Sequence, residues 1–370
     1  MVTHLHIVSF NVPSPANYGG VIDVMGRIVE LHKRGVKIHL HCFLYNRPPD
    51  DSLLNYCVEV CYYKRNTSFL SHFSARPYIV RSRHSESLLS RLRLDKYPVL
   101  IEGLHCCHVL EHLHGRQLFV RMHNVEHDYY NGLASVENKW WKRIFFRIEA
   151  SKLKRYEPVL SKATAVWAIS QKDFSYFRNK DYCDVRYLPS VVPHCGLMFQ
   201  PQKGDYVLYH ANLSVPENIH AAEFIIKNIA PYINHEIVIA GANPDKRLAL
   251  LAGSQPNVSI RPNPSDVEMD KLVSGAQVIV LYTKQATGLK MKLLKSVSMG
   301  RHCVVNSAMV EGTSLGEFCH VANTPDQMVA FIDKLMLTPF TLDDFERRKC
   351  YFESLESPSR YFDEFVALLQ

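Results

Sequence analysis

Val278-Ile279-Val280-Leu281, then Ala286-Thr287-Gly288-Leu289-Lys290-Met291-Lys292-Leu293-Leu294-Lys295-Ser296-Val297-Ser298-Met299-Gly300, then Cys303-Val304-Val305-Asn306: this stretch reads as strand, turn, helix and strand. The apolar run before the Thr-Gly turn has the length of a buried strand, and Leu289, Leu293, Leu294 and Val297 recur at helical spacing until Gly300 stops the helix. A helix mouth is thereby delivered to the end of a sheet. Its free N–H groups carry partial positive charge, and Lys290 and Lys292 stand in its first turns, so an anion, most naturally a phosphate, is favoured there. An ordinary strand–loop–helix unit with solvated lysines satisfies the same spacing.

Outward from this unit the alternation repeats. Residues 4–10 alternate histidine and apolar side chains as a strand, the loop 11–20 leads to a helix from about Val21 to Lys33, and a second strand covers 36–44. This β-loop-α-β unit opens a doubly wound parallel sheet. Gly19-Gly20 at the helix start lets backbone come close to a bound group, but it is not the Gly-x-Gly-x-x-Gly of dinucleotide binders, so hydride transfer loses support. Strands at 99–101 and 117–120 run into Glu102-Gly103-Leu104-His105 and Arg121-Met122-His123-Asn124-Val125-Glu126-His127. Ligands of open α/β sheets sit beyond the carboxyl ends of strands, which places both loops in the cleft and makes His123 the leading polar residue of the first half. Strand 163–169, helix 171–177 and segment 185–189 close that half, and 193–205 reads as a linker. A new series starts with strand 206–210 and the loop Ala211-Asn212-Leu213-Ser214-Val215-Pro216-Glu217-Asn218, continues through strands 236–241 and 258–260, and reaches the loop Glu311-Gly312-Thr313 after strand 304–306. The expected fold class is α/β, two Rossmann-like doubly wound parallel-sheet domains facing a cleft, over 1–195 and 205–350, with a helix in 351–370 folding back on the first domain.

Length agrees with two domains, since 370 residues exceed one ordinary core. With 47% hydrophobic and 21% charged residues the chain is a soluble globular protein. No basic leader or run of about 18 apolar residues is seen, which predicts a cytoplasmic protein, at most peripheral on the inner face of the cell membrane. Ten scattered cysteines then read as reduced thiols. Charge is uneven: residues 1–200 hold 27 Lys+Arg against 17 Asp+Glu, while 201–370 hold 16 against 19. The basic half points to an anionic surface. Its helix 137–158 sets Trp140 and Trp141 beside Lys142, Arg143 and Arg147, as an interfacial helix on anionic lipid would; packing of Trp141, Phe145 and Ile148 into the core is the alternative. Nucleic acid is not expected, because no recognition motif accompanies the charge. His105, His108 and His112 share one helical face, yet no fixed-spacing ligand set accompanies them, and no metal is expected.

Taken together, the Gly-Gly loop, Arg121-x-His123-Asn124-x-Glu126, Leu188-Pro189, Asn212-Leu213-x-x-Pro216-Glu217-Asn218 and Thr287-Gly288-x-Lys290-x-Lys292-x-Leu294 resemble, in order and spacing, the GT-B glycosyltransferases, specifically retaining glycosyltransferase family 4. The resemblance spans nearly the whole chain. It implies sugar transfer from a nucleotide-diphosphate donor to a polysaccharide or lipid-linked acceptor, without cofactor or metal. Its donor side would be Gly19, Gly20, Asn212, Thr287, Gly288, Lys290, Lys292, Lys295, Glu311 and Gly312, with His123 beside the reacting sugar and Glu102, His105, Asn124 and Glu126 on the acceptor side. In the family a pair of glutamates flanks the lysine motif, and here those positions hold Thr287 and Lys295. A lysine has no acceptor for ribose hydroxyls. The resemblance therefore also admits a transferase-like, non-catalytic partner protein with weakened donor binding.

Overall fold

A computed structural model describes residues 3–16, 19–68, 74–137, 139–190, 197, 199, 201–284, 290–354 and 359–369. It contains two parallel sheets. The seven-stranded first sheet is ordered β3-β2-β1-β4-β5-β6-β7, from β1 (His4–Ser9), β2 (Lys37–Leu44), β3 (Glu59–Lys64), β4 (Val99–Glu102), β5 (Leu118–Met122), β6 (Ala165–Ala168) and β7 (Asp184–Tyr187). The six-stranded second sheet is ordered β10-β9-β8-β11-β12-β13, from β8 (Tyr206–His210), β9 (Glu236–Gly241), β10 (Val258–Pro262), β11 (Val278–Leu281), β12 (His302–Val305) and β13 (His320–Val321). In each, the chain builds outward from one central strand and then returns to the other side of it. The reversal lies between β1 and β4 in one sheet and between β8 and β11 in the other, which opens a crevice at the carboxyl ends of those strands.

The inner strands are short and apolar for a physical reason. A parallel strand is covered by helices on both faces, so β4, β6, β11 and β12 are buried at every residue and read as continuous apolar runs rather than alternations. Two separate cores result, one under each sheet.

The last helix, Ser359–Leu368, belongs to the first of these cores although it follows the second sheet in the chain. Phe362 and Phe365 are fully buried, and the Phe365 ring meets Phe119 and Trp167 edge-on at 5.4 Å. Arg34 adds an ion pair to Asp363 at 2.7 Å.

Local differences from the expected elements have local causes. Glu126 and His127, expected in a loop, begin a helix, Glu126–Val136, with Asp128 in its first turn where the helix dipole favours a carboxylate. The helical face expected for His105, His108 and His112 is broken into a 3-10 turn, Leu104–Cys106, and one helical turn, Val109–His112. The helix after β11 is observed as Met291–Met299, and Gln285 to Leu289 lie outside the described residues.

Phe365→Ala should destabilise the protein by about 3–5 kcal/mol, the cost of a cavity at a fully buried aromatic. Urea unfolding followed by tryptophan fluorescence measures this, and a loss below about 1 kcal/mol would contradict the docking of this helix into the first core.

Candidate active site

On the first-domain side, five charged or titratable side chains converge below the crevice. Asp23 and Arg27 lie one turn apart on the helix Gly19–Lys33, on the face turned into the domain, where Arg27 donates to Asp23. Arg121, at the end of β5, donates to both Asp23 oxygens at 3.0 and 3.1 Å and to the carbonyls of Ala168 and Leu188. Glu102, the last residue of β4, stands 3.4 Å from Arg27 and 2.9 Å from Nε2 of His123. All but His123 are essentially inaccessible, and His123 is 8% exposed. Two carboxylates face two guanidiniums, so the charges balance. Burial opposes the charge of Asp23, yet Arg121 and Arg27 hold its carboxyl far below the usual carboxylate range.

His123 is consequently a fixed ring. Nε2 is spoken for by Glu102, Nδ1 lies 3.6 Å from Asp23, and the Phe10 ring meets the imidazole edge-on at 5.4 Å. Next to it, Gly103 turns the chain with φ 75°, a conformation a Cβ would strain, and His105 follows with Nδ1 3.8 Å from Glu126. Burial pushes the Glu126 carboxyl up to about 8 and the His105 ring well below its ordinary value. At neutral pH this pair is largely uncharged and can exchange protons or hydrogen bonds, but not provide a fixed charge. Asn124 is half-buried between His123 and the helix Glu126–Val136.

On the second-domain side the site is built on the loop after β8. Asn212 accepts from the Ser214 N–H and hydroxyl, and its carbonyl accepts from Asn218. Asn218 in turn accepts from Lys292 at 2.9 Å, while Glu217 accepts from the Thr283 hydroxyl and lies 3.8 Å from Lys290. Burial pushes Lys292 down to about 8 and also lowers Lys290, against the pull of Glu217. Lys290 further feels Lys172 and Asp173, which belong to the first domain, so this ammonium faces the crevice. Lys295 turns the other way and pairs with Asp270 of the helix Asp266–Gly275 at 2.5 Å.

The two halves meet at these points. A Cβ on Gly19 would stand 3.3 Å from the Met291 side chain, so the amino ends of the helices Gly19–Lys33 and Met291–Met299 face each other across the crevice. Gly20 is the second residue of the first of these helices. Glu311 pairs with Lys172 at 2.8 Å, and Gly312 lies against the same lysine. Residues 204–337 match the family model described as "Glycosyl transferases group 1". The fold is that of the GT-B glycosyltransferases. Sucrose-phosphate synthase from Thermosynechococcus elongatus superposes with a TM-score of 0.70 at 12% identity, covering 99% of both chains. An Anabaena protein, HepE, solved in complex with UDP and glucose, superposes with 0.64 at 10% identity, covering 99% of each chain. In sequence, an uncharacterized 44.6 kDa protein in the cps region of Klebsiella pneumoniae is 25% identical over 369 residues, 89% of this chain and 88% of that protein.

Within this GT-B fold, the residues expected at the site fall into three groups. His123, Glu102, His105, Asn124 and Glu126 gather at the ends of β4 and β5, and Gly19, Asn212, Lys290, Lys292, Glu311 and Gly312 gather around the facing helix ends. Lys295 is tied away from them, and Thr287 and Gly288 lie outside the described residues. Trp140 and Trp141, 73% and 54% exposed, form with Ile144 and Ile148 an outward apolar stripe on the helix Trp140–Tyr156, with Arg143 and Arg147 exposed beside it and the Lys142 ammonium over the Trp141 ring. Sequence reasoning missed Asp23 and Arg27, and it quoted Asn218 within a motif without giving it a role. Asp23 and Arg27 do carry a signal, an i,i+4 charge pair among the apolar positions Val21, Val24, Ile28 and Leu31.

Because the folded Glu126 binds its proton more tightly than the unfolded chain does, its contribution to stability is lost as pH rises from the ordinary carboxylate range through about 8. Glu126→Gln should therefore melt close to the parent at pH 5 and above it at pH 9. A melting-temperature difference that does not change with pH would overturn this assignment.

Proposed function

We propose that this protein transfers a sugar from a nucleotide-diphosphate donor to a polysaccharide or lipid-linked acceptor, with retention and without a metal. The observation that carries this is the pair of partly buried ammonium groups, Lys290 and Lys292, at the amino end of the helix Met291–Met299, facing the glycine start of the opposite helix. A departing diphosphate needs its growing charge stabilised, and lysines with a helix dipole supply that in a poorly solvated crevice. The UDP and glucose held by a structural neighbour of the same fold support a nucleotide-sugar donor. A relative in a cps region supports a polysaccharide product.

In this scheme the donor diphosphate lies between the Gly19-Gly20 turn and the lysine pair, and Thr287 and Gly288 belong to the same donor loop. Gly312 and Glu311 border the donor sugar; Glu311 exchanges Lys172 for it. His123 meets the reacting sugar through a ring that Glu102 and the buried arginines hold in place. The acceptor enters over His105, Asn124 and Glu126. Its hydroxyl proton passes to the leaving diphosphate oxygen on the same face as the bond that forms, so no strong base is required of the protein. One observation favours the second reading, a transferase-like partner with weakened donor binding. Lys295 stands where the family has a ribose-binding glutamate and is paired to Asp270 instead.

UDP, GDP and ADP at millimolar concentration separate the two readings by thermal shift. One of them should raise the melting temperature, since ligand at about 100 times its dissociation constant adds roughly 2.7 kcal/mol, and Lys292→Ala should weaken that ligand about tenfold to a hundredfold. No shift with any of the three would sink the active transferase.

We also place the protein in the cytoplasm, peripheral on the membrane's inner face, held there by the Trp140–Tyr156 helix. No helix among the described residues is long and apolar enough to span a bilayer. Trp140 and Trp141 would sit at headgroup depth with Lys142, Arg143 and Arg147 on anionic lipid. Co-sedimentation with phosphatidylglycerol vesicles should fall on replacing both tryptophans by alanine and in high salt; binding indifferent to both changes would count against it.

A further inference from the structure

Two His-x-His pairs, His4/His6 and His39/His41, stand 33 residues or more apart in the chain and side by side in the sheet. The register pairs His6 with His39, and His39 with Glu59, so the period of two puts His4, His6, His39, His41, Glu59 and Tyr63 on one face of β1, β2 and β3. His6 and His41 are fully buried there, His6 in the half of β1 away from the crevice and His41 in the middle of β2. A row of imidazoles inside a sheet that otherwise buries Leu, Ile and Val is an expensive choice unless each ring is satisfied.

We propose that His6, His41 and Glu59 form a binding site for a zinc-class divalent cation, with Nδ1 of His6, Nε2 of His41 and a Glu59 carboxylate oxygen as ligands. Among the described residues one donor atom from each of the three lies within 4.8 Å of the others. His6 Nδ1 and His41 Nε2 are 2.9 Å apart, and tetrahedral zinc with bonds of about 2.0–2.1 Å needs roughly 3.4 Å between two nitrogens, a small widening. The groups behind the ligands argue more strongly. Nε2 of His6 is held by both oxygens of Asp95 at 3.0 and 3.1 Å, Nδ1 of His41 by the Tyr63 hydroxyl at 2.9 Å, and Glu59 by His39 and Arg91. Carboxylate-to-histidine support of this kind fixes the tautomer that leaves the inner nitrogen free for a metal. Glu59 is partly exposed, at 30%, which sets one of the three ligands at the solvent side.

The other group of close donors, Asp23, Glu102 and His123, already has its charge balanced by two arginines and belongs to the crevice. His105, His108 and His112, which share a helical face in sequence, are not among the groups brought together. Without metal, the proposed site closes on itself as the chain Asp95–His6–His41–Tyr63, with one proton per link. That chain alone is the rival explanation, and it needs no cation.

The full-length protein, stripped with chelator, is titrated with cobalt(II) and then zinc(II) at pH 7.5. One equivalent of cobalt should give the intense visible bands of a four-coordinate site, and zinc should displace it. Glu59→Gln and His41→Gln should each weaken zinc at least tenfold, Asp95→Asn about tenfold to a hundredfold, and His112→Gln not at all. Should His41→Gln not fold, Glu59→Gln on the half-exposed strand decides. No stoichiometric cobalt uptake, or zinc affinity unchanged by Glu59→Gln, overturns the proposal in favour of the hydrogen-bonded chain.

Discussion

Arg121 is the group on which the first domain and its half of the crevice depend. It sits at the end of β5 with no solvent access, and its four hydrogen bonds reach the helix Gly19–Lys33 through Asp23, the strand β6 through Ala168 and the segment after β7 through Leu188. Removing one partner would leave a buried charge unpaired, the kind of change that costs about 3–5 kcal/mol. The same network reaches His123 through Glu102. Thus the position of the His123 ring is set by charge pairing inside the domain and not by a loop.

The second domain solves the opposite problem. In the proposed donor site its lysines meet an anion that comes and goes, so they cannot be locked into strong ion pairs. Lys292 is held by a neutral amide, Asn218, and Lys290 by a Glu217 that stands 3.8 Å off and also accepts from Thr283. Burial then lowers both ammoniums, the state that the proposed diphosphate would reverse. Lys295 has a close carboxylate partner and is, by the same reasoning, an anchor between helices.

Parallel architecture explains why such different local devices end up opposite one another. In each sheet the chain reverses direction beside its first strand, and only there do neighbouring loops diverge enough to leave a crevice. Gly19 and Met291 mark where the two crevices touch. The C-terminal helix, with Phe362 and Phe365 in the first core, returns the chain from one domain to the other.

Sequence alone determined the two α/β domains, because the alternation of short apolar runs with amphipathic segments is set by strand and helix periods, which are local properties. It also marked His123, the glycine pair and the two lysines, since residues after strand ends are readable once strands are. The helix Glu126–Val136 was not legible, because its buried face includes Glu126 and His127, which look like loop residues until the fold encloses them. Tertiary structure decided which charges are functional and which are braces. Asp23, Arg27 and Asn218 matter through partners as many as 98 residues away, and Lys292 and Lys295, three positions apart on one helix, find an amide and a carboxylate respectively. No periodicity encodes such pairings, because each is settled by long-range packing and by the cost of burying a charge without a partner.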